Sequence, residues 1–297
     1  MKQPSHIRHA PLKGIRILSL ALNLPGPAAL MRCQQMGARC TKLEPPPAAH
    51  GSSDPMGQYN PVAYAQLHTG IKVVSADLKT TAGSASLHKL LAKTDVLLTS
   101  FRPSALRKLG LDGKTLVKQY PRLSCVSIVG APGAGAETSG HDLTYLAANG
   151  LVTGLDLPPT LYADMGGALM ASEAVLRAVL LGQQKGRGVQ LEVALSDAAA
   201  WAALPRHWGL TLPTGAVGGA HAGYRVYACK DGRVAAAALE PHFAARLCMA
   251  AGVACADLAS LMSPATHQVL ARFFSQQTRA QLDVLAAARD IPLQTLP

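Results

Sequence analysis

The chain has 297 residues, of which 49% are hydrophobic and only 15% are charged, and 28 lysines and arginines against 17 acidic residues give it a net charge of +11. This composition excludes a disordered chain, and the length predicts one large domain with a smaller one. The basic residues are scattered, and no basic stretch is interleaved with aromatic residues. We therefore expect no nucleic-acid partner and instead a small molecule that carries phosphate groups.

The N-terminus and the cysteines restrict the class of protein further. Residues 1–6 lack the apolar stretch of a signal peptide, and no apolar run reaches membrane-spanning length without a charge or a proline. We therefore expect a cytoplasmic protein with no membrane partner. The six cysteines form no CxxC pair and have no histidine at metal-ligand spacing, so we expect no metal site.

Short β-rich runs alternate with helical runs in the first half of the chain. The predicted strands are residues 14–20, 40–43, 72–76, 95–98 and 123–128, and the predicted helices open near residue 27 and span residues 84–91. Alternation of this kind predicts an α/β fold with a mostly parallel sheet that carries helices on both faces.

A long helix dominates the start of the second half. Its apolar face predicts a helix over residues 166–181, and a strand follows at 189–193. Farther on, an Asp-Gly turn joins two strands into a β-hairpin, and helices are predicted from Pro241 to about residue 288. The predicted boundaries are 1–190 for the large domain, 191–212 for a linker and 213–297 for a smaller α+β domain.

The first predicted strand-to-helix turn has the sequence NLPGP at residues 23–27 and not GxGxxG. Only one glycine is therefore available there for a pyrophosphate to approach the backbone, which leaves a dinucleotide cofactor unsupported. The P-loop, HExxH and GxSxG motifs are absent as well. We expect no permanently bound cofactor.

Two titratable residues lie beside glycines at predicted helix starts. His141 precedes Asp142, a natural N-cap for a short helix, and Asp164 precedes Gly166 and Gly167 at the start of the long helix. A capping role explains each residue at least as well as a catalytic role does. Two glycines in a first helical turn are unfavourable, however, and favour a close approach of another group to that backbone.

Arg102 directly follows a predicted strand, so it is expected at the rim where open α/β sheets bind ligands. Glu240 is explained most simply as the start of a helix. From the residues alone, the sequence predicts an α/β enzyme with a phosphate-bearing ligand.

Eight short motifs resemble, in the right order and over nearly the whole chain, those of the CaiB/BaiF family, the family III CoA-transferases. They are residues 24–27 (LPGP), 37–46 (GARCTKLEPP), 77–79 (DLK), 100–103 (SFRP), 140–142 (GHD), 163–167 (ADMGG), 186–188 (GRG) and 239–243 (LEPHF). At these motif positions, the combination of His141, Asp164 and Glu240 is most similar to the residues of the α-methylacyl-CoA racemase branch.

The resemblance implies a Rossmann-like large domain, a small domain and an interlocked homodimer that acts on an acyl-CoA thioester, with coenzyme A as part of the substrate. In the racemase branch, the residues matching Asp164 and His141 exchange the α-proton from opposite faces, and the one matching Glu240 orients the histidine. In the transferase branch, the residue matching Asp164 attacks the thioester. The cations that the resemblance places near the CoA phosphates, unless they are ordinary surface charges, are Arg102, Lys42 and Lys72.

The sequence also departs from the family pattern. The asparagine and arginine that open the family's NRGKR segment are His68 and Thr69 here, its lysine is Ile71, and the acidic residue usual at the end of strand one is Ser19. The chain stops at Pro297, where a C-terminal return segment is expected in the family. Three functions follow: racemase or epimerase of a 2-methylacyl-CoA, the preferred reading; CoA-transferase; and non-catalytic CoA-binding relative.

Overall fold

The computed structural model describes residues 9–47, 52–254 and 257–297. The N-terminal residues that bear on a signal peptide lie outside these ranges. The chain divides into two compact units, one up to Ala203 and one from Leu204 to Pro297. The part of the predicted linker from 191 to 203 lies in the first unit, because it contains a strand of the large sheet and a helix.

The first unit alternates strands with helices, as the sequence pattern predicts. Its strands are β1 (Arg16–Ser19), β2 (Arg39–Glu44), β3 (Lys72–Ser75), β4 (Val96–Thr99), β5 (Ser124–Val129) and β6 (Gln190–Ala194). Its helices are α1 (Pro25–Gln35), α2 (Pro55–Tyr59), α3 (Pro61–Leu67), α4 (Thr81–Leu91), α5 (Pro103–Lys108), α6 (Gly113–Gln119), α7 (Asp142–Ala148), α8 (Tyr162–Lys185) and α9 (Leu195–Ala202).

The six strands form one parallel sheet in the order β3-β2-β1-β4-β5-β6. Successive residues of a strand point to opposite faces, so Val96 and Leu98 lie in one core cluster and Leu97 lies in the other. Helices α1 and α8 cover the first face, and α4, α5 and α6 cover the second. The prediction of an α/β fold with helices on both faces is confirmed.

Helix α8 begins at Tyr162, four residues earlier than predicted. Gly166 and Gly167 therefore lie inside the helix, where they admit α9: a Cβ on Gly167 would collide with the side chain of Leu195, and one on Gly166 would lie 3.3 Å from the Ala198 Cβ. The glycines thus serve helix packing, and the group that approaches their backbone closely is helix α9.

Helix α8 is long and apolar enough to cross a membrane by length and composition, a property that the core helix of a soluble protein can share. The helix carries charged side chains within this apolar stretch, among them Asp164, Glu173 and Arg177. One side of the helix, including Ala171 and Val175, is buried in the core against the sheet.

The second unit is an α+β domain, as predicted. Its elements are α10 (Leu204–His207), β7 (Tyr224–Cys229), β8 (Gly232–Ala237), α11 (Pro241–Ala250), α12 (Leu258–Leu261), α13 (Pro264–Ser275), α14 (Arg279–Arg289) and β9 (Leu293–Leu296). The predicted hairpin is β7–β8, and β9 adds a third antiparallel strand that the sequence pattern did not predict. Tyr227, Val234, Phe274 and Leu282 form its core with α11, α13 and α14.

Candidate active site

A cavity of about 760 Å³ opens at the carboxyl ends of β1, β4 and β5. The sheet order reverses between β1 and β4, and a crevice at such a switch point is where open α/β sheets bind their ligands. The cavity is lined by the turn after β1 (residues 22–25), the turn after β4 (100–102), residues 138–143 and Asp164. Arg102, His141 and Asp164, predicted separately from the sequence, line this same cavity.

Asp164 is the third residue of α8 and is partly buried. It is not the N-cap of the helix; its own backbone N–H donates to Asp142 Oδ1 over 2.9 Å. Burial, followed by the negative charge of Asp142, raises the pKa of Asp164 to about 6, against the opposing effect of His141. A carboxyl group with this pKa exchanges a proton readily near neutral pH.

His141 occupies the N-cap position of α7, where Asp142 was predicted. Its backbone is held by the Thr144 hydroxyl, which accepts from the His141 N–H over 3.0 Å and donates to the His141 carbonyl over 2.7 Å. The imidazole is left exposed at the cavity. Asp142, the first residue of α7, is buried, and its carboxylate accepts the hydrogen bond from the backbone N–H of Asp164. A fixed backbone with a free side chain suits proton transfer.

Of the three predicted cations, Arg102 lines the cavity. It precedes α5, and its Nη2 donates to Ser139 Oγ over 2.9 Å, which ties the turn after β4 to the segment before His141. The guanidinium retains further N–H donors for an anionic ligand.

Lys42 and Lys72 do not reach this cavity. Lys42 is fully buried within β2, where its ammonium forms ion pairs with Glu44 and Asp54. Lys72 opens β3 and therefore lies at the amino end of a parallel strand, opposite the carboxyl ends that form the cavity. The structure does not support the prediction that these two lysines contact CoA phosphates.

Glu240 lies in the second unit, at the N-cap position of α11, where its side chain makes no capping hydrogen bond. Its role toward His141 stays a prediction.

The cavity is also lined by Asp142 and Tyr145, which were not predicted as site residues. Tyr145 lines the cavity, and burial and then the charge of Asp164 raise the pKa of its phenol. The signal for Tyr145 was available, because residues four apart at the start of a helix share a face, and Tyr145 is four residues from His141. The signal for Asp142 was hidden, because a cap and a buried acceptor both favour aspartate.

A second cleft, of about 880 Å³, lies between the start of α4 and the end of α5. Lys79, Lys108 and His88 line it, and both lysines are exposed. Two exposed cations at one cleft can pair with an anionic ligand.

The chain resembles both branches of one enzyme family. It is 28% identical to the alpha-methylacyl-CoA racemase of Mus musculus over 292 residues, which cover 91% of this chain and 73% of that protein. It is 29% identical to the cinnamoyl-CoA:phenyllactate CoA-transferase of Clostridium sporogenes over 202 residues, which cover 63% of this chain and 49% of that protein.

Among solved structures, Rv3272 from Mycobacterium tuberculosis shares the fold with a TM-score of 0.80, at 24% identity, over 96% of this chain and 83% of that one. The family model described as CoA-transferase family III matches residues 12–296. The predicted family and the prediction of an enzyme are therefore confirmed: the chain belongs to CoA-transferase family III.

Proposed function

We propose that the protein is an acyl-CoA racemase or epimerase that inverts the α-carbon of a 2-methylacyl-CoA by two-base proton transfer. The observation that carries this proposal is the meeting of His141 and Asp164 at one cavity, with the pKa of Asp164 raised to about 6. One group must accept a proton and the other donate one at the same pH, and a carboxyl group with an ordinary pKa is a weak base for this work.

In the proposed reaction, one of the two side chains removes the α-proton, and the C–H electron pair moves toward the thioester carbonyl, whose oxygen becomes enolate-like. The other side chain delivers its proton to the opposite face of the α-carbon as the carbonyl re-forms. Coenzyme A takes part as the thioester portion of the substrate, and the step consumes no other co-reactant.

The alternative is a CoA-transferase in which the carboxylate of Asp164 attacks the thioester carbonyl and holds the acyl group as a mixed anhydride while the CoA thiolate leaves. A raised pKa also favours this role, because a more basic carboxylate is a better nucleophile. The relatives include transferases, which is why this alternative is tested together with the first.

Two measurements separate these functions. A racemase incorporates deuterium at the α-carbon of a 2-methylacyl-CoA in D₂O and yields no acyl-hydroxamate with hydroxylamine. A transferase yields an acyl-hydroxamate that derives from Asp164 and needs no α-proton exchange. A folded protein that binds coenzyme A and does neither would be the non-catalytic relative.

We infer that Lys79 and Lys108, which face one cleft, bind phosphate groups of the CoA moiety. Replacing both by Ala is then expected to raise the KM for acyl-CoA by at least about tenfold with little change in kcat, because the phosphates lose charge-assisted hydrogen bonds. Steady-state kinetics measure both constants. The matched control replaces Lys93 and Lys118, which are exposed and line neither the cleft nor the cavity. An equal rise in KM in the control would attribute the effect to net charge alone.

We further propose that the active protein is a homodimer. An apolar stripe lies at the start of α8 and consists of its N-cap Leu161 and of Tyr162, Met165 and Leu169, all of which are 42–50% exposed. An apolar stripe of this kind marks an association surface.

We expect the chain, of 30.9 kDa, to sediment as a dimer and Leu169→Glu to weaken the dimer by at least about 100-fold, because a charge would be buried there. Val284→Glu, at an exposed site on α14, is the control. A monomeric unmodified chain would contradict the proposal.

A further inference from the structure

A buried polar cluster lies beside the active-site cavity. We call Lys42, Glu44, Asp54 and His68 the Lys42 cluster. Lys42 and Asp54 are 0% exposed, and Glu44 and His68 are nearly so. The Lys42 ammonium contacts the Asp54 carboxylate and lies 2.8 Å from Glu44 Oε1 and 3.1 Å from His68 Nε2, so each of its three N–H groups has an acceptor.

The imidazole of His68 is held in one tautomer. Its Nδ1 lies 2.7 Å from the carbonyl oxygen of Tyr64 and donates to it, which leaves Nε2 as the acceptor for Lys42. Burial and the charge of Lys42 lower the pKa of His68, and an Nε2 that accepts from the Lys42 ammonium belongs to a neutral ring. With one ammonium and two carboxylates, the cluster carries a net charge of −1. His68 stands where the family pattern has asparagine, and the cluster gives this departure a structural role.

The cluster is connected to the cavity through Asp54. The Asp54 oxygen that does not pair with Lys42 accepts from the backbone N–H groups of Asn23, over 3.0 Å, and Met56, over 2.9 Å. Asn23 has a φ of 66°, a left-handed conformation that among the described non-glycine residues is shared only by Asp290. A residue other than glycine rarely adopts this conformation unless its surroundings hold it, although Asn tolerates it better than most.

The turn that Asp54 holds is part of the cavity wall. Asn23, Leu24 and Pro25 all line the cavity that contains Asp164. The Tyr59 hydroxyl, also at the cavity, donates to Asn23 Oδ1 over 3.3 Å. A shift of this turn therefore changes the shape of the cavity without touching either proposed base.

We propose that Lys42 and Asp54 are positioning residues: Lys42 neutralises Asp54 inside the fold, and Asp54 fixes the left-handed Asn23 turn that shapes the acyl-CoA site. Lys42 thus acts on the ligand through Asp54 and not by contact with a phosphate. The ligand part of this inference rests on the proposed function, whereas the fixing of Asn23 does not.

The test compares the single variant Lys42→Met with the double variant Lys42→Met/Asp54→Asn. The single variant leaves two buried carboxylates with a net charge of −2. The double variant restores the net charge of −1, and the side-chain oxygen of Asn at position 54 still accepts from the Asn23 N–H. The two readouts are the affinity for coenzyme A, by titration calorimetry, and the hydrogen-exchange rate of the Asn23 amide without ligand.

We expect the single variant either to fail to fold or to bind coenzyme A at least about tenfold more weakly and exchange the Asn23 amide about tenfold faster. Without Lys42, the buried Asp54 carboxylate loses its ion pair and is repelled by Glu44, so it no longer holds its position against the Asn23 N–H. We expect the double variant to fold and to recover both values to within about threefold. The control Asp112→Ala removes another helix-capping aspartate, at α6, and should leave both readouts unchanged.

Three results would overturn the inference: a double variant that folds but binds coenzyme A at least about tenfold more weakly than the unmodified chain; a double variant that does not fold; or a folded single variant with unchanged exchange at Asn23. If the unmodified chain binds no coenzyme A while the exchange rates behave as expected, the proposed function fails and the positioning of Asn23 stands.

Discussion

Replacing Asp164 by Asn is expected to abolish racemisation, with a fall in rate of about 1,000-fold or more, because the amide keeps the shape of the side chain but neither accepts nor returns a proton. His141→Gln should have an equal effect on racemisation. The two variants should differ in α-proton exchange. Each should still exchange the α-proton of one enantiomer in D₂O, through the base that remains, and the enantiomer should be opposite in the two variants.

This crossed pattern distinguishes two bases on opposite faces from one base with a solvent proton. Deuterium incorporation into each separate enantiomer of a 2-methylacyl-CoA, followed by mass spectrometry and chiral analysis, measures it. Exchange of both enantiomers at an unreduced rate in folded Asp164→Asn would remove Asp164 from the catalytic machinery. Loss of an acyl-hydroxamate in Asp164→Asn alone, with His141→Gln unaffected, would identify the transferase.

The stability of Asp164→Asn provides the check that the variant is folded. The pKa of Asp164 is raised from 3.8 to about 6, so the stability linked to its protonation is fully present below pH 3.8 and is lost as the pH rises through 6. The carboxylate therefore destabilises the native chain at pH 8. We therefore compare the free energies of unfolding of the variant and the unmodified chain at pH 4 and at pH 8. The difference in favour of the variant should grow by on the order of 1–2 kcal/mol from pH 4 to pH 8, allowing for partial exposure of the group.

The parallel sheet was predictable because its strands are buried on both faces and read as short apolar runs, as in β4 and β5. The start of α8 was not predictable from local propensity. Gly166 and Gly167 mark a helix boundary in isolation, but Leu195 and Ala198 of α9 occupy the space that side chains there would fill. Tertiary packing overrode propensity, and sequence spacing does not reveal which helix packs against which.

The site was predictable where strand direction alone decides the outcome. Arg102 follows a strand and lies at the cavity, whereas Lys72 precedes the body of its strand and lies at the other end of the sheet. Ligands bind at the carboxyl ends of the strands in open α/β sheets, a rule that locates Arg102 and excludes Lys72. Lys72 was predicted from the motif resemblance instead. Lys42 was beyond prediction, because its acceptors Asp54 and His68 are 12 and 26 residues away and meet it only in the folded chain.

The most informative residue outside the predicted set is Asp142, and Asp142→Asn is expected to shift the pH dependence of turnover. Its negative charge is the second cause, after burial, of the raised pKa of Asp164. An amide at position 142 still accepts from the Asp164 N–H through its oxygen but carries no charge, so the pKa of Asp164 should fall, on the order of one unit.

The direction of this shift depends on which enantiomer is supplied. In the direction where Asp164 removes the α-proton, it must be ionised, so kcat/KM rises with pH through about 6 in the unmodified chain and should rise at lower pH in the variant. In the opposite direction Asp164 must be protonated, so the fall of kcat/KM should also begin at lower pH.

Profiles for both enantiomers between about pH 4.5 and pH 9 measure the two limbs. Asp112→Asn, at the cap of α6, should move neither limb. Limbs that stay in place in Asp142→Asn would mean that burial alone sets the pKa of Asp164, and that the neighbouring carboxylate serves only to hold the start of α8.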